Sequence, residues 1–147
     1  MQIQQLHTLD EIDYMTLAPL LEQVPRAGLL GDRARNYVEK VLAHGFAFVV
    51  AEGRKVYGWI AFYANDAVTH AAYLSSLVVH EQLRGQGWGT QLMNRYLAVS
   101  KEKGMEAFTL QVLRANEPAI RFYQSLGARI VGPGATEEKY AMRGSLQ

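Results

Sequence analysis

The chain contains no cysteine. Disulfides and thiolate zinc sites are therefore excluded, and any covalent chemistry must do without a protein thiol. Histidine is scarce: His7, His44, His70 and His80 lie far apart and show no metal-ligand spacing, so no metal is expected. Neither sign of charge dominates. Lys and Arg total 15 against 14 Asp and Glu, a formal net charge of +1. A general nucleic-acid or membrane-surface binder would carry a larger basic excess. No apolar run reaches membrane-spanning length, and Met1 to Asp10 has no apolar signal core. These absences predict a soluble cytoplasmic protein that binds neither nucleic acid nor membrane.

What is present suits one domain. The 147 residues are 49% hydrophobic, enough to fill a single core. Ile3 to Leu6 reads as a short strand. Thr8 to Glu11 is T-x-x-E, the pattern of a capping box at a helix start. Leu17, Leu20, Leu21 and Val24 then follow helical spacing, with Pro25 as the stop. Asp32 is placed to cap a second helix, in which Ala34, Tyr37, Val38 and Val41 share a face and Gly45 closes the run. Phe46 to Ala51 and Val56 to Ala64 read as a hairpin around Glu52-Gly53-Arg54-Lys55. Ala71 to Val79 is a third strand, followed by a helix from about Gly87 to Lys103. Ala107 to Leu113, a helix from about Glu117 to Leu126, and strands Ala128 to Val131 and Lys139 to Arg143 complete the chain, the last two joined around Gly132-Pro133-Gly134. The order β-α-α-β-β-β-α-β-α-β-β predicts an α/β (α+β) fold, a mixed sheet with helices on both faces.

The chemistry centres on Val79-His80-Glu81-Gln82-Leu83-Arg84-Gly85-Gln86-Gly87-Trp88-Gly89-Thr90. A strand ends, alternating glycines follow, and a helix begins. Glycines let main chain approach a ligand closely, and free amides at the helix start favour an anion. Arg84 adds a positive charge beside them. A phosphate or pyrophosphate is the natural ligand. A dinucleotide fingerprint would need Gly at Thr90, and a Walker loop would need Lys at Gly89. The remaining pattern is R-x-x-G-x-G, formed by Arg84, Gly87 and Gly89, and it resembles the coenzyme A pyrophosphate loop of the GNAT superfamily of N-acetyltransferases. Leu77-Val78-Val79 resembles the strand ahead of that loop.

A second stretch, Asn116-Glu117-Pro118-Ala119-Ile120-Arg121-Phe122-Tyr123-Gln124-Ser125-Leu126-Gly127-Ala128, resembles the same family's N-x-x-A-x-x-F-Y-x-x-x-G pattern. By itself it is a short helix capped by Asn116 or Glu117, with Pro118 in its first turn and Gly127 at its end. Ala119, Phe122, Tyr123 and Leu126 share one face. Ala119 and Leu126 are read as core, and Phe122 as core or cofactor contact.

The resemblance covers about Ala47 to Tyr140 and implies a GNAT-like, mostly antiparallel sheet. It implies acetyl transfer from acetyl-CoA, as co-substrate, to an amine by direct attack. Cofactor contacts fall at Leu77, Val78, Val79, Arg84 to Thr90 (with Gly85, Gln86, Gly87, Trp88 and Gly89), Asn116, Phe122 and Tyr123. It implies that pantetheine lies along the strand like an added strand, that a main-chain amide near Leu77 to Val79 stabilises the oxyanion, and that Tyr123 is the general acid to the departing sulfur. Histone-type members carry a Glu where this chain reads Ala71-Ala72-Tyr73-Leu74-Ser75-Ser76. The base is left among a water chain, His80, Glu52 and Asp66. Acceptor choice falls to about Val24 to Tyr37 and the last hairpin, where Asp32, Glu39, Glu137 and Glu138 suit a cationic amine or a solvated surface. The resemblance also carries an expectation of a homodimer. The missing Glu keeps a non-catalytic acyl-CoA-binding module as the alternative.

Overall fold

The computed structural model describes residues 1–24 and 29–147. Among the described residues seven strands and four α-helices follow in the expected order: β1 (Gln2–Leu6), α1 (Tyr14–Glu22), α2 (Asp32–His44), β2 (Phe46–Glu52), β3 (Lys55–Tyr63), β4 (Ala71–Val79), α3 (Trp88–Glu102), β5 (Ala107–Leu113), α4 (Glu117–Ser125), β6 (Arg129–Pro133) and β7 (Lys139–Ser145). The strands hydrogen-bond in the order β1-β2-β3-β4-β5-β7-β6. Pairing is antiparallel for β1–β2, β2–β3, β5–β7 and β6–β7, and parallel for β4–β5. The chain divides into two compact units, Met1–Tyr63 with Ser75–Tyr96, and Ala64–Leu74 with Leu97–Gln147.

In the first unit the period-two alternation of β2 and β3 sends side chains to two covered faces. Ala47, Val49, Ala51, Trp59 and Ala61 join Leu17, Leu20 and Leu21 of α1 and Ala34, Val38 and Val41 of α2 in one core. Each large aliphatic side chain buried there contributes about 1.5–3 kcal/mol. On the opposite face Phe62 stacks against Phe46 and Phe48 and meets Tyr96 of α3 at 4.8 Å between ring centres. Gly58 lacks the Cβ that would meet Val50 at 2.9 Å and Leu92 of α3 at 3.5 Å, so helix and strand approach closely. In this unit helices therefore cover both faces. The β2–β3 turn is two residues, Gly53-Arg54, with Glu52 opposite Lys55 and Gly53 at φ +60°.

The second unit buries Phe108, Leu110 and Val112 of β5 with Met142 of β7. Gly144 sits opposite Phe108, where a Cβ would fall 2.2 Å from the ring.

Four local expectations are corrected. The T-x-x-E box serves a short 3-10 turn, Leu9–Glu11, in which Glu11 accepts from the amides of His7 and Thr8 at 2.6 and 2.9 Å. Those bonds hold its carboxyl below the usual range. Helix α1 starts later, because Asp13 accepts from Met15 N at 3.1 Å. Asp32 is the first residue of α2 rather than its cap; Gly31, at φ +56°, takes the cap. The last turn does not centre on Gly132-Pro133-Gly134. Gly132 and Pro133 pair with Ala141 and Tyr140, so β6 runs through them after a register shift beyond Ile130, and the reversal falls after Pro133. Finally, Ala119 and Leu126 are not core: the residue α4 buries is Ile120, and Ala119, Phe122, Tyr123 and Leu126 are all half-buried. Pro25, read as a helix stop, lies outside the described residues.

Candidate functional site

Within the first unit β4 ends at Val79 and the chain turns sharply. His80 N donates to Tyr57 O at 2.8 Å, pinning the turn to β3. One 3-10 turn, Glu81–Leu83, leads to Arg84. Gly85 and Gly87 then adopt φ of +78° and +88°, which L side chains rarely take. Added Cβ atoms there would touch nothing within 4 Å, so backbone conformation, not space, requires glycine. The first bond into α3 is Gln91 N to Gly87 O at 3.0 Å. The amides of Trp88, Gly89 and Thr90 precede it and have no intrahelical acceptor. Three donors and a helix N-terminus thus converge at one turn, as an anion site needs.

Arg84 is fixed there. Its Nε donates to Val79 O at 3.2 Å and one terminal nitrogen donates to Gln23 Oε1 at 2.9 Å. Gln86 Nε2 donates to Gln82 O at 3.1 Å, tying the loop to itself. Among the cofactor candidates on β4, Val78 is 7% exposed and packs in the core, whereas Leu77 and Val79 are half-buried. Any contact from Val78 must therefore come from its main chain. The parallel ladder of β4 with β5 pairs Ala71, Ala72 and Tyr73, and Leu77 to Val79 lie beyond it along the strand.

One arrangement in this unit escaped sequence reading. Tyr37 of α2 places its hydroxyl 2.6 Å from Ser75 Oγ and 2.7 Å from Ser76 Oγ. Ser76 also accepts from the indole N–H of buried Trp59 at 2.8 Å. The helical pattern marked Tyr37 as a core position; its hydroxyl, which demands a partner, was the available signal.

Two proposed bases lose ground on geometry. His80 Nδ1 accepts from Gln82 N at 3.1 Å, so its free acceptor is already engaged and Nε2 carries the proton in the neutral ring. Asp66 caps its own loop, accepting from Val68 N and Thr69 N at 2.9 and 3.0 Å, and these bonds lower its pKa. Both favour the roles of turn builders. Glu52 is exposed at the β2–β3 turn, opposite Lys55.

The second unit holds Asn116, Phe122 and Tyr123. Asn116 caps α4, its Oδ1 accepting from Ala119 N at 3.2 Å. Phe122 and Tyr123 lie with ring centres 5.3 Å apart. Burial pushes the Tyr123 hydroxyl up to about 12. It is therefore a phenol, not a phenolate, at neutral pH, and has a proton to give. Among the described residues there is no group of three or more His, Asp or Glu side chains placed to hold a metal ion. Among them, too, no helix is long and apolar enough to cross a membrane.

The model of the Acetyltransferase (GNAT) family matches residues 11–128. Thialysine N-epsilon-acetyltransferase of Mus musculus is 36% identical over 73 residues, 50% of this chain and 43% of that protein. N-alpha-acetyltransferase 30 of Schizosaccharomyces pombe is 28% identical over 103 residues, 67% of this chain and 69% of that protein. The match thus spans under half the length of the thialysine enzyme. Among solved structures, an aminoglycoside 6'-N-acetyltransferase complexed with coenzyme A superposes with a TM-score of 0.77 at 20% identity, covering 100% of this chain and 98% of that one. A positive-φ glycine turn between strand and helix and a family match across most of the sequence lead to one conclusion: the chain belongs to the acetyltransferase (GNAT) family.

Proposed function

We propose that the chain transfers the acetyl group of acetyl-CoA to an amine by direct attack, without a covalent enzyme intermediate. The observation that carries this reading is the turn at Arg84 to Thr90, where two positive-φ glycines precede the free amides of α3. There the pyrophosphate is held by Gly85, Gln86, Gly87, Trp88, Gly89 and Thr90, with Arg84 beside them. The pantetheine arm runs along the main chain of Leu77 to Val79, and Asn116 and Phe122 contact the cofactor. Binding both substrates together supplies the proximity contribution to rate.

Tyr123 is proposed as the general acid that protonates the departing thiolate. Its hydroxyl keeps its proton across the working range, while the burial that raises its pKa makes it a weaker acid than a free phenol. An alkylamine has a pKa of about 10 and must lose a proton before attack. With no carboxylate in Ala71 to Ser76, and with His80 and Asp66 engaged in turns, a water chain is the base we favour. Absence of a thiol on the protein agrees with direct attack. We further propose that both units act as one catalytic domain, that the protein works in the cytoplasm without nucleic acid, membrane or metal, and that it forms a homodimer.

A thiol-release screen over polyamines, aminoglycosides, amino acids and peptide N-termini tests the reaction. Release with one amine class supports it. Coenzyme A binding without release from any class points instead to an acyl-CoA sensor. Calorimetry showing ATP or NAD bound and coenzyme A ignored would overturn the ligand itself.

A further inference from the structure

The second unit carries a charged cluster that acetyl transfer does not use. Arg129 of β6 is directly opposite Arg143 of β7, which is opposite Thr109 of β5, which is paired with Tyr73 of β4. Directly paired residues point to the same face, with Cβ atoms about 4.5–5.5 Å apart. Both arginines are exposed, and among the described residues neither has a carboxylate at ion-pair distance. Like charges directly opposite destabilise a strand pair. An anion shared between them would reverse that penalty.

The surroundings suit such an anion. Arg129 and Arg143 line a cavity of about 420 Å³ with Glu106, Gly127, Ser145 and Gln147. Ser145 Oγ accepts from Gln147 N at 3.1 Å, which leaves its own O–H available to donate. The floor is ordered by main-chain bonds, Leu146 N to Glu106 O at 3.0 Å and Glu106 N to His70 O at 2.7 Å. Glu106 is the acidic side chain of the lining. It opposes a bound anion without neutralising either guanidinium; the two arginines outweigh it, and the net attraction grows with the anion's charge, which favours a dianion.

We propose that Arg129, Arg143 and Ser145 form a binding site for a phosphate group, each guanidinium offering a planar pair of donors to its oxygens. The phosphate is either free or carried on a phosphorylated side chain; both present the same oxygens.

The test titrates inorganic phosphate into the intact, isotope-labelled chain at low ionic strength and follows amide and arginine Nε resonances. Saturable shifts at Arg129, Arg143 and Ser145 are expected. Arg143→Gln should weaken them at least about tenfold, the loss expected for a charge-assisted contact. Glu106→Gln should tighten them. Without phosphate, Arg143→Gln should be no less thermally stable than the parent, because a like-charge pair has been relieved. A phosphoserine peptide that binds at these residues more tightly than phosphate identifies a macromolecular source; equal affinity identifies the free ion. Shifts confined to Gly85 to Thr90, shifts that never saturate, or an Arg143→Gln variant with unchanged affinity would overturn the proposal. The first of these outcomes would leave the acetyl-CoA reading standing.

Discussion

Trp59 and Ser76 are joined by a buried hydrogen bond: the indole N–H of a side chain with no exposed surface donates to a serine oxygen at 2.8 Å. An indole nitrogen can only donate. Ser76→Ala therefore strands it in the core, at a cost of about 1–3 kcal/mol. Tyr37→Phe removes a second hydroxyl from the same serine but leaves the indole satisfied, and should cost about 0.5–1.5 kcal/mol. Urea unfolding followed by tryptophan fluorescence checks the ranking. Equal losses would mean that the Trp59 contact carries no special weight.

Tyr123→Phe tests the acid. The change should reduce thiol release about 10²-fold or more while leaving coenzyme A affinity nearly unchanged, the signature of an interaction needed only in the reaction step. Steady-state rates paired with calorimetry separate the two. A variant with parental turnover removes Tyr123 from the role.

The same tyrosine also makes a stability prediction. Its folded pKa of about 12 lies above the ordinary phenol value of 10.0. Between those values the unfolded chain releases a proton that the folded chain keeps, so stability falls as pH rises through that window. Below pH 10 the effect vanishes. The parent should lose stability between pH 10 and 12 more steeply than Tyr123→Phe, with the other tyrosines common to both. Parallel slopes would show that the hydroxyl is not desolvated.

Two glycines should respond to alanine for opposite reasons. At Gly87 the added methyl meets nothing, so only the left-handed backbone resists, at about 1–2 kcal/mol. At Gly144 the methyl lands 2.2 Å from the Phe108 ring, an overpacking cost of about 1–3 kcal/mol. Phe108→Leu should rescue Gly144→Ala and leave Gly87→Ala unrescued. A double-mutant cycle in denaturant measures this, and the absence of coupling between positions 108 and 144 would refute the packing account.

The fold was readable wherever a single period dominated. β4 and β5 begin and end where their apolar pattern does, and Gly45 and Gly127 close their helices as read. Errors arose where two local signals competed. Thr8 and Asp13 both suit a helix start, and only tertiary bonds from Arg54 to Asp10 O and Ile12 O show that the chain needs an extra turn first. On α4 the face chosen from spacing was half-exposed, because a short pattern of apolar residues does not reveal which side is buried; Ile120 is the buried residue. For the candidate site, the glycine turn was legible from residue order, and Gly85 and Gly87 adopt positive φ; Tyr123 was singled out by the family resemblance. The Tyr37–Ser75–Ser76 cluster was not, because its members are 38 and 39 positions apart and joined only through the fold.

The clasp between Arg84 and Gln23 ties the turn proposed to hold the pyrophosphate to the last residues before Val24 to Tyr37, the segment proposed for acceptor choice. On that proposal, selection for a new amine would act on that segment and, through one glutamine, tug on the Arg84 guanidinium. Changes in acceptor preference in this lineage should therefore arrive with altered Michaelis constants for acetyl-CoA. An engineer exchanging the segment should keep Gln23 in place to hold the two properties apart.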